Sequence, residues 1–199
     1  MGFTKYNQLM DEFKKGSLIY TPFKKRENVF VISSGYVLAS PNDDNAKRRI
    51  HLIYGPASYF PVITTFKNSE QRASYEALTD VKIQTYSVDE FIKRIDVDHD
   101  FCKSILYKTV DQLSQFADRV IDLQQTKLED RLLNRLEVLL KQHGEKIDVG
   151  TRLPYSLKHH HLADMLGVER ESITRALSRL KSKGIVMQDK EGILTINKQ

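Results

Sequence analysis

The chain has 199 residues, 40% hydrophobic and 29% charged, enough to bury a sizeable core in one large domain or two small ones. Lys and Arg number 31 against 26 Asp and Glu, a net charge of +5; an excess this mild permits a polyanionic partner without requiring one. No apolar run approaches the roughly 18 residues of a membrane span, and the one cysteine, Cys102, excludes an internal disulfide and any cluster or zinc site built from several thiolates.

At the start, Met1-Gly2-Phe3-Thr4-Lys5-Tyr6 has no apolar stretch of a signal peptide, and Tyr6 stands where a myristoylation signal needs Ser or Thr. The expectation is a soluble cytoplasmic protein with no membrane partner. The first region reads as β: β-branched and aromatic runs at Leu18–Tyr20, Val29–Ile32, Tyr36–Ala39, Ile50–Tyr54 and Val81–Tyr86 alternate with Ser33-Ser34-Gly35, Pro41-Asn42-Asp43-Asp44-Asn45 and Gly55-Pro56. Short strands at roughly 8–12-residue spacing predict a sandwich or small barrel, closed by a short helix near Val88–Ile95.

From Asp98 to Leu140 there is no Gly or Pro, and apolar residues recur at helical spacing. Leu106, Val110, Leu113, Ala117 and Val120 follow steps of 4, 3, 4 and 3, the a/d seam of a coiled coil. Phe101, Ile105, Phe116 and Leu123 lie off that seam and offer a second apolar surface, suited to the β region. A helix with two apolar faces needs two partners. A parallel two-fold dimer satisfies the seam; burial of the helix within a monomer is the alternative. Near Gln124-Gln125-Thr126 a second helix takes over, with Leu128, Leu132, Leu136, Leu139 and Leu140 as its stripe and His143-Gly144 as its stop.

The last 45 residues carry the strongest signal. Leu162-Ala163-Asp164-Met165-Leu166-Gly167-Val168 is a short helix ending at a glycine able to take the positive φ of a tight interhelical turn. In the helix Glu169–Lys181 that follows, Ile173, Leu177 and Leu180 bury one face and leave Arg170, Glu171, Thr174, Arg175 and Ser178 on the other. Two short helices about a tight turn, the second with a bare polar face, make a helix-turn-helix. Gly184–Gln188 and Ile193–Ile196, joined by Asp189-Lys190-Glu191-Gly192, form a hairpin. Together they predict a winged helix, whose target is the major groove of duplex DNA. Guanidinium groups bond guanine O6 and N7, and carboxylates accept from cytosine N4, so Arg170, Glu171 and Arg175 are the candidate base readers. Ser172, Thr174, Ser178, Lys181 and Lys183 suit the backbone. The bland alternative makes Glu171 and Arg175 an i,i+4 ion pair worth only ~0.3–0.5 kcal/mol.

Leu162–Leu180 resembles the DNA-binding motif of the cyclic-AMP receptor protein and fumarate–nitrate regulator superfamily, Leu-Ala-x-x-Leu-Gly followed by Arg-Glu-Thr-x-x-Arg-x-Leu-x-x-Leu. Here the second part stands as Arg170-Glu171-Ser172-Ile173-Thr174-Arg175-Ala176-Leu177-Ser178-Arg179-Leu180. The resemblance spans essentially the whole chain and implies a jelly-roll effector domain, a dimer helix and a winged helix. It also implies a homodimer on a palindromic promoter site, with RNA polymerase as a further partner. On that resemblance, Arg175 and Glu171 read the guanine and cytosine of a GA step in each half-site. Thr174 before Arg175 looks more like the fumarate–nitrate branch, and Lys158 departs from the Ser or Thr that caps the first helix in many members. The family's Val-x-x-Gly-x-Val turn stands as Ile32-Ser33-Ser34-Gly35-Tyr36-Val37. The phosphate cassette does not survive: Pro61-Val62 fill its Gly-Glu positions, its Arg-Ser-Ala falls on Gln71-Arg72-Ala73 or Arg72-Ala73-Ser74 depending on register, and Arg72 reads as a solvated surface charge. Valine cannot accept from a ribose hydroxyl, and proline removes an amide donor.

Other sensors fit less well. A single Cys rules out an iron–sulfur cluster held by several thiolates; His51 as a lone heme ligand and Cys102 as a redox switch both have plainer structural readings. Consecutive His159-His160-His161 on a helix point about 100° apart and cannot converge on one metal; phosphate contact or plain exposure suits them. Lys24-Lys25-Arg26 and Lys47-Arg48-Arg49 read as solvated charges, with a protein or anion contact as the sharper option.

The expected fold is α+β: residues 1–97 a β jelly roll of cyclic-nucleotide-binding type, 98–125 a dimerisation helix, 126–199 a winged helix-turn-helix. The expected function is sequence-specific, homodimeric DNA binding that regulates transcription, independent of cyclic AMP, with no catalytic residues, metal or cofactor. A small-molecule-gated regulator of the same family is the first alternative. A metal-dependent enzyme is the remote one, unsupported by any nucleophile–base pair, phosphate loop or ligand spacing.

Overall fold

The computed structural model describes residues 9–20, 28–41, 50, 52–67, 73–122 and 127–197. His51, Arg72, both basic clusters of the β region and the Gln124-Gln125-Thr126 junction lie outside the described residues. Two compact units divide the chain, residues 1–111 and 112–199.

The first unit contains β1 (Leu9–Phe13), β2 (Leu18–Tyr20), β3 (Asn28–Ser34), β4 (Val37–Pro41), β5 (Leu52–Tyr54), β6 (Tyr59–Phe60), α1 (Val62–Lys67), β7 (Ala73–Ala77), β8 (Val81–Ser87) and α2 (Val88–Val97). They build two antiparallel four-stranded sheets, ordered β1-β8-β3-β6 and β2-β7-β4-β5, a jelly-roll pairing. All five expected strands are present, and β1, β6, β7 and α1 are additional. Alternation places Val81 and Ile83 of β8 in the core while Lys82 faces outward to pair with Glu12 of β1; Tyr86, on the opposite parity, is buried in a cluster with Tyr59 and Phe91. Gly35, at φ +86°, turns β3 into β4; a Cβ there would stand 2.2 Å from the Asp80 carbonyl oxygen. Close approach and positive φ together therefore demand glycine. Ser87 begins α2 with a capping box, its hydroxyl accepting from the Glu90 amide.

α3 (His99–Asp122) begins in this unit, its first turn capped by the Asp98 carboxylate, which accepts from the Phe101 amide at 2.9 Å. Phe101 and Ile105 are buried in a cluster with Val29, Tyr59, Tyr86 and Phe91, as the off-seam stripe predicted. The Arg94 guanidinium covers the Phe101 ring at 4.1 Å. Phe116 is half-buried; Leu123 lies outside the described residues. The seam behaves oppositely: Leu106, Val110 and Leu113 are 59%, 53% and 67% exposed, and Ala117 is exposed as well. The side chain of Val120 lies outside the described residues.

The second unit contains α4 (Leu128–His143), β9 (Glu145–Ile147), β10 (Gly150–Ser156), α5 (His159–Leu166), α6 (Arg170–Ser182), β11 (Val186–Gln188) and β12 (Ile193–Asn197). Leu132, Leu136, Leu139 and Leu140 of α4 are buried, as is Arg135. Gly144 closes the helix, its amide donating to the Leu140 carbonyl. The expected hairpin β11–β12 is half of a four-stranded sheet ordered β11-β12-β10-β9. Among the described residues no helix is long and apolar enough to cross a membrane.

Candidate nucleic-acid interface

α5, the turn and α6 follow from local chemistry. α5 carries Leu162, Ala163, Met165 and Leu166 into the core and ends at Gly167, φ +65° and ψ +38°. A Cβ on Gly167 would meet nothing within 4 Å, so the left-handed backbone, not crowding, calls for glycine. The Gly167 and Val168 amides both donate to the Ala163 carbonyl. α6 then buries Ile173, Ala176, Leu177 and Leu180; the helical period alone points to three of these four and passes over Ala176.

Two side chains of α4 hold this pair of helices. Arg131 donates from Nη2 to the Leu166 carbonyl at 2.7 Å, satisfying the C-terminal end of α5. Arg179 of α6 pairs with Glu129, and its hydrogen bond and charge hold the Glu129 carboxyl below the usual carboxylate range. Neither interaction is legible in the sequence, because the partners lie 35 and 50 residues apart. The only local hint is the charged first turn of α4.

The opposite face of α6 presents Arg170, Glu171, Thr174, Arg175, Ser178 and Lys181 to solvent, with Ser172 half-buried and Lys183 exposed just beyond. Among the described residues no ion pair joins Glu171 to Arg175. The Arg175 guanidinium instead donates to Ser172 Oγ at 3.2 Å, which leaves the Glu171 carboxylate as an open acceptor. Lys181 donates to Gln188 Oε1 on β11, joining α6 to the hairpin.

Thr174, exposed on this face, already has partners within the motif. Its hydroxyl donates to the Arg170 carbonyl at 3.0 Å, and its oxygen meets His159 Nδ1 at 2.8 Å; both interactions are internal to the motif. The histidine run also divides. His161 is buried, its Nδ1 accepting from the Lys158 amide at 3.3 Å, whereas plain exposure was one of the expectations. This bond serves the N-terminus of α5, where a lysine ammonium, having no acceptor, cannot. His160 packs edge-on against His161 with centroids 4.2 Å apart. Among the described residues no group of three or more His, Cys, Asp or Glu is placed to hold a metal ion.

Residues 130–199 match the Crp-like helix-turn-helix domain. The C-terminal part of the chain is therefore a Crp-like helix-turn-helix domain. The chain as a whole resembles transcription regulators of the Crp/Fnr superfamily. It is similar to the CRP-like cAMP-activated global transcriptional regulator of Mycobacterium tuberculosis, 21% identical over 196 residues, covering 94% of this chain and 87% of that one. The global nitrogen regulator of Synechococcus elongatus is 21% identical over 199 residues, covering 99% of this chain and 90% of that one. The structure of FixK2 from Bradyrhizobium japonicum superposes with a TM-score of 0.79 at 19% identity, covering 97% and 94% of the two chains, and so shares the fold. The jelly-roll, helix and winged-helix order expected of a Crp/Fnr chain is the order observed.

Proposed function

We propose that this regulator is a cytoplasmic homodimer that binds a palindromic promoter site, reads bases with Arg170, Glu171 and Arg175, and has no catalytic role. The supporting observation is the state of the α6 face: Glu171 and Arg175 are exposed and not paired with each other, so each is available to a base edge. Ser172, Thr174, Ser178, Lys181 and Lys183 supply phosphate donors. In this reading residues 1–97 are an effector-type domain, 98–125 the dimer helix and 126–199 the DNA-binding domain.

The α3 seam supports the dimer. Val110 and Ala117 stand at a, with Leu106, Leu113 and Val120 at d; a β-branched residue at a and leucine at d favour two parallel strands. The two recognition helices then enter successive major grooves with centres roughly 34–36 Å apart. RNA polymerase is the further partner that the family resemblance suggests.

Independence from cyclic AMP is supported inside the jelly roll. Tyr20, Tyr54 and Tyr75 of one sheet meet Phe30 and Phe60 of the other, and Phe60 stacks on Tyr75 at 4.5 Å, next to the Pro61-Val62 position of the missing cassette. Phe60 is fully buried and Tyr75 nearly so. Burial pushes the Tyr54 phenol up to about 12, partly offset by its hydrogen bond with Tyr75. A nucleotide entering there would have to displace close-packed rings. Selection from a randomised duplex library is the test: the same palindrome is expected with and without cyclic AMP, and enrichment only with the nucleotide would overturn this part of the reading.

Lys183→Ala is expected to lower affinity equally on the selected and on random duplexes, and to reduce the log–log salt slope by about 0.9 for each phosphate no longer neutralised. An unchanged slope in salt-dependent fluorescence anisotropy would remove Lys183 from the residues that hold phosphate.

A further inference from the structure

We propose that His159 is a protonation-dependent phosphate contact, so that acidification tightens the grip of this regulator on duplex DNA. The proposal rests on the DNA-binding reading above and adds to it a regulating variable, pH.

The placement of one proton decides which nitrogen is available. His159 is the first residue of α5, and its Nδ1 lies 2.8 Å from Thr174 Oγ1 on the exposed face of α6. A hydroxyl has one proton to give, and that of Thr174 goes to the Arg170 carbonyl at 3.0 Å. In our assignment the Thr174 oxygen then accepts, and His159 donates from Nδ1–H. A neutral imidazole protonated at Nδ1 has a bare lone pair at Nε2. That lone pair repels a phosphate oxygen; the N–H of the charged ring makes a short, charge-assisted hydrogen bond to it. The phosphate bond is thus made by only one of the two protonation states.

The surroundings keep the free protein in the other state. Burial first, then the charges of Lys181 and Arg170, hold His159 below the ordinary histidine range. Both cations face it from α6. From α4, Arg131 meets α5 only at its far end, on the Leu166 carbonyl, and Lys158 and His160 flank it in the chain. A phosphate reverses this balance, since the anion favours the charged ring and offsets the two cations. The bound state then has the higher pKa, complex formation takes up a proton, and affinity rises as pH falls through the interval between the bound and free values.

The test uses the full chain and a fluorescein-labelled random-sequence duplex at constant ionic strength, because a phosphate contact carries no sequence information. Going from about pH 8 to about pH 6, across the range where histidine titrates, the wild type is expected to bind more tightly, by up to about tenfold per subunit for each unit by which phosphate raises the His159 pKa. His159→Arg should bind tightly at both ends and His159→Gln weakly at both ends, with circular dichroism confirming each fold. Calorimetry in buffers of different ionisation enthalpy should show proton uptake in the wild type alone. A flat wild-type profile, or a slope that survives in His159→Gln, overturns the proposal. A wild type that binds no duplex at any pH overturns the DNA-binding reading and this proposal with it.

Discussion

Leu113→Glu is expected to yield a folded monomer whose affinity for the selected palindrome falls by about a hundredfold or more. The side chain is 67% exposed in the single chain, so its replacement leaves the intramolecular core intact and the thermal midpoint nearly unchanged. In a two-fold dimer the same position is buried twice. Each leucine contributes about 1.5–3 kcal/mol on burial, and the substitution also sets two carboxylates against each other across the seam. Once the dimer is broken, each winged helix binds a half-site alone and the 10²–10⁴-fold gain from linking two sites disappears. Sedimentation equilibrium and anisotropy on the palindrome check both halves. A Leu113→Glu protein that sediments as the wild type does would move the dimer interface elsewhere. Phe101 and Ile105 provide the contrast, since they belong to the buried cluster beneath β3 and α2; truncating either would cost stability in the monomer itself.

Arg175→Ala is expected to weaken binding to the selected site by about 1–3 kcal/mol per half-site, the value of one bidentate guanine contact. Affinity for random duplex should stay within twofold or so. Arg175 suits that role because its guanidinium is exposed and its bond to Ser172 Oγ, at 3.2 Å, is to a neutral acceptor, readily exchanged for a base. Arg179, one turn on, is held by Glu129 and serves to fix α6 on α4. Arg175→Lys should recover little, since a point charge cannot reproduce the planar fork. Equal losses on specific and random DNA, measured at one salt concentration, would show that Arg175 holds phosphate and reads no base.

The features the sequence determined by itself are those governed by near neighbours along the chain. Ile173, Leu177 and Leu180, spaced by helical period, and Gly167, able to take a left-handed backbone, specify the helix-turn-helix, because periodicity and one special φ are local properties. The α3 seam and its second stripe were legible for the same reason, and α3 has both faces as expected. Strands whose own alternation is weak were not legible. β1 reads Leu-Met-Asp-Glu-Phe, and its charges make sense only once Thr85 donates to Asp11 and Lys82 pairs with Glu12 across β8. β7, Ala-Ser-Tyr-Glu-Ala, is a strand because it lies between β2 and β4. Pro154 hides β10: with no amide to donate it breaks the run, and the pairing with β12 shifts register between Arg152 and Ser156.

Only the tertiary structure decided which polar groups on the exposed face of α6 are already engaged. Thr174, Arg179 and Lys181 are alike in sequence terms, three hydrophilic residues on one helix. The fold assigns them to Arg170 and His159, to Glu129 and to Gln188, while Glu171 and Arg175 remain apart from each other. The same holds inside the jelly roll, where five aromatic residues scattered from Tyr20 to Tyr75 meet because two sheets close over them. Hydrogen bonds and ring contacts between residues far apart in the chain depend on where the backbone brings them, and no local pattern encodes that.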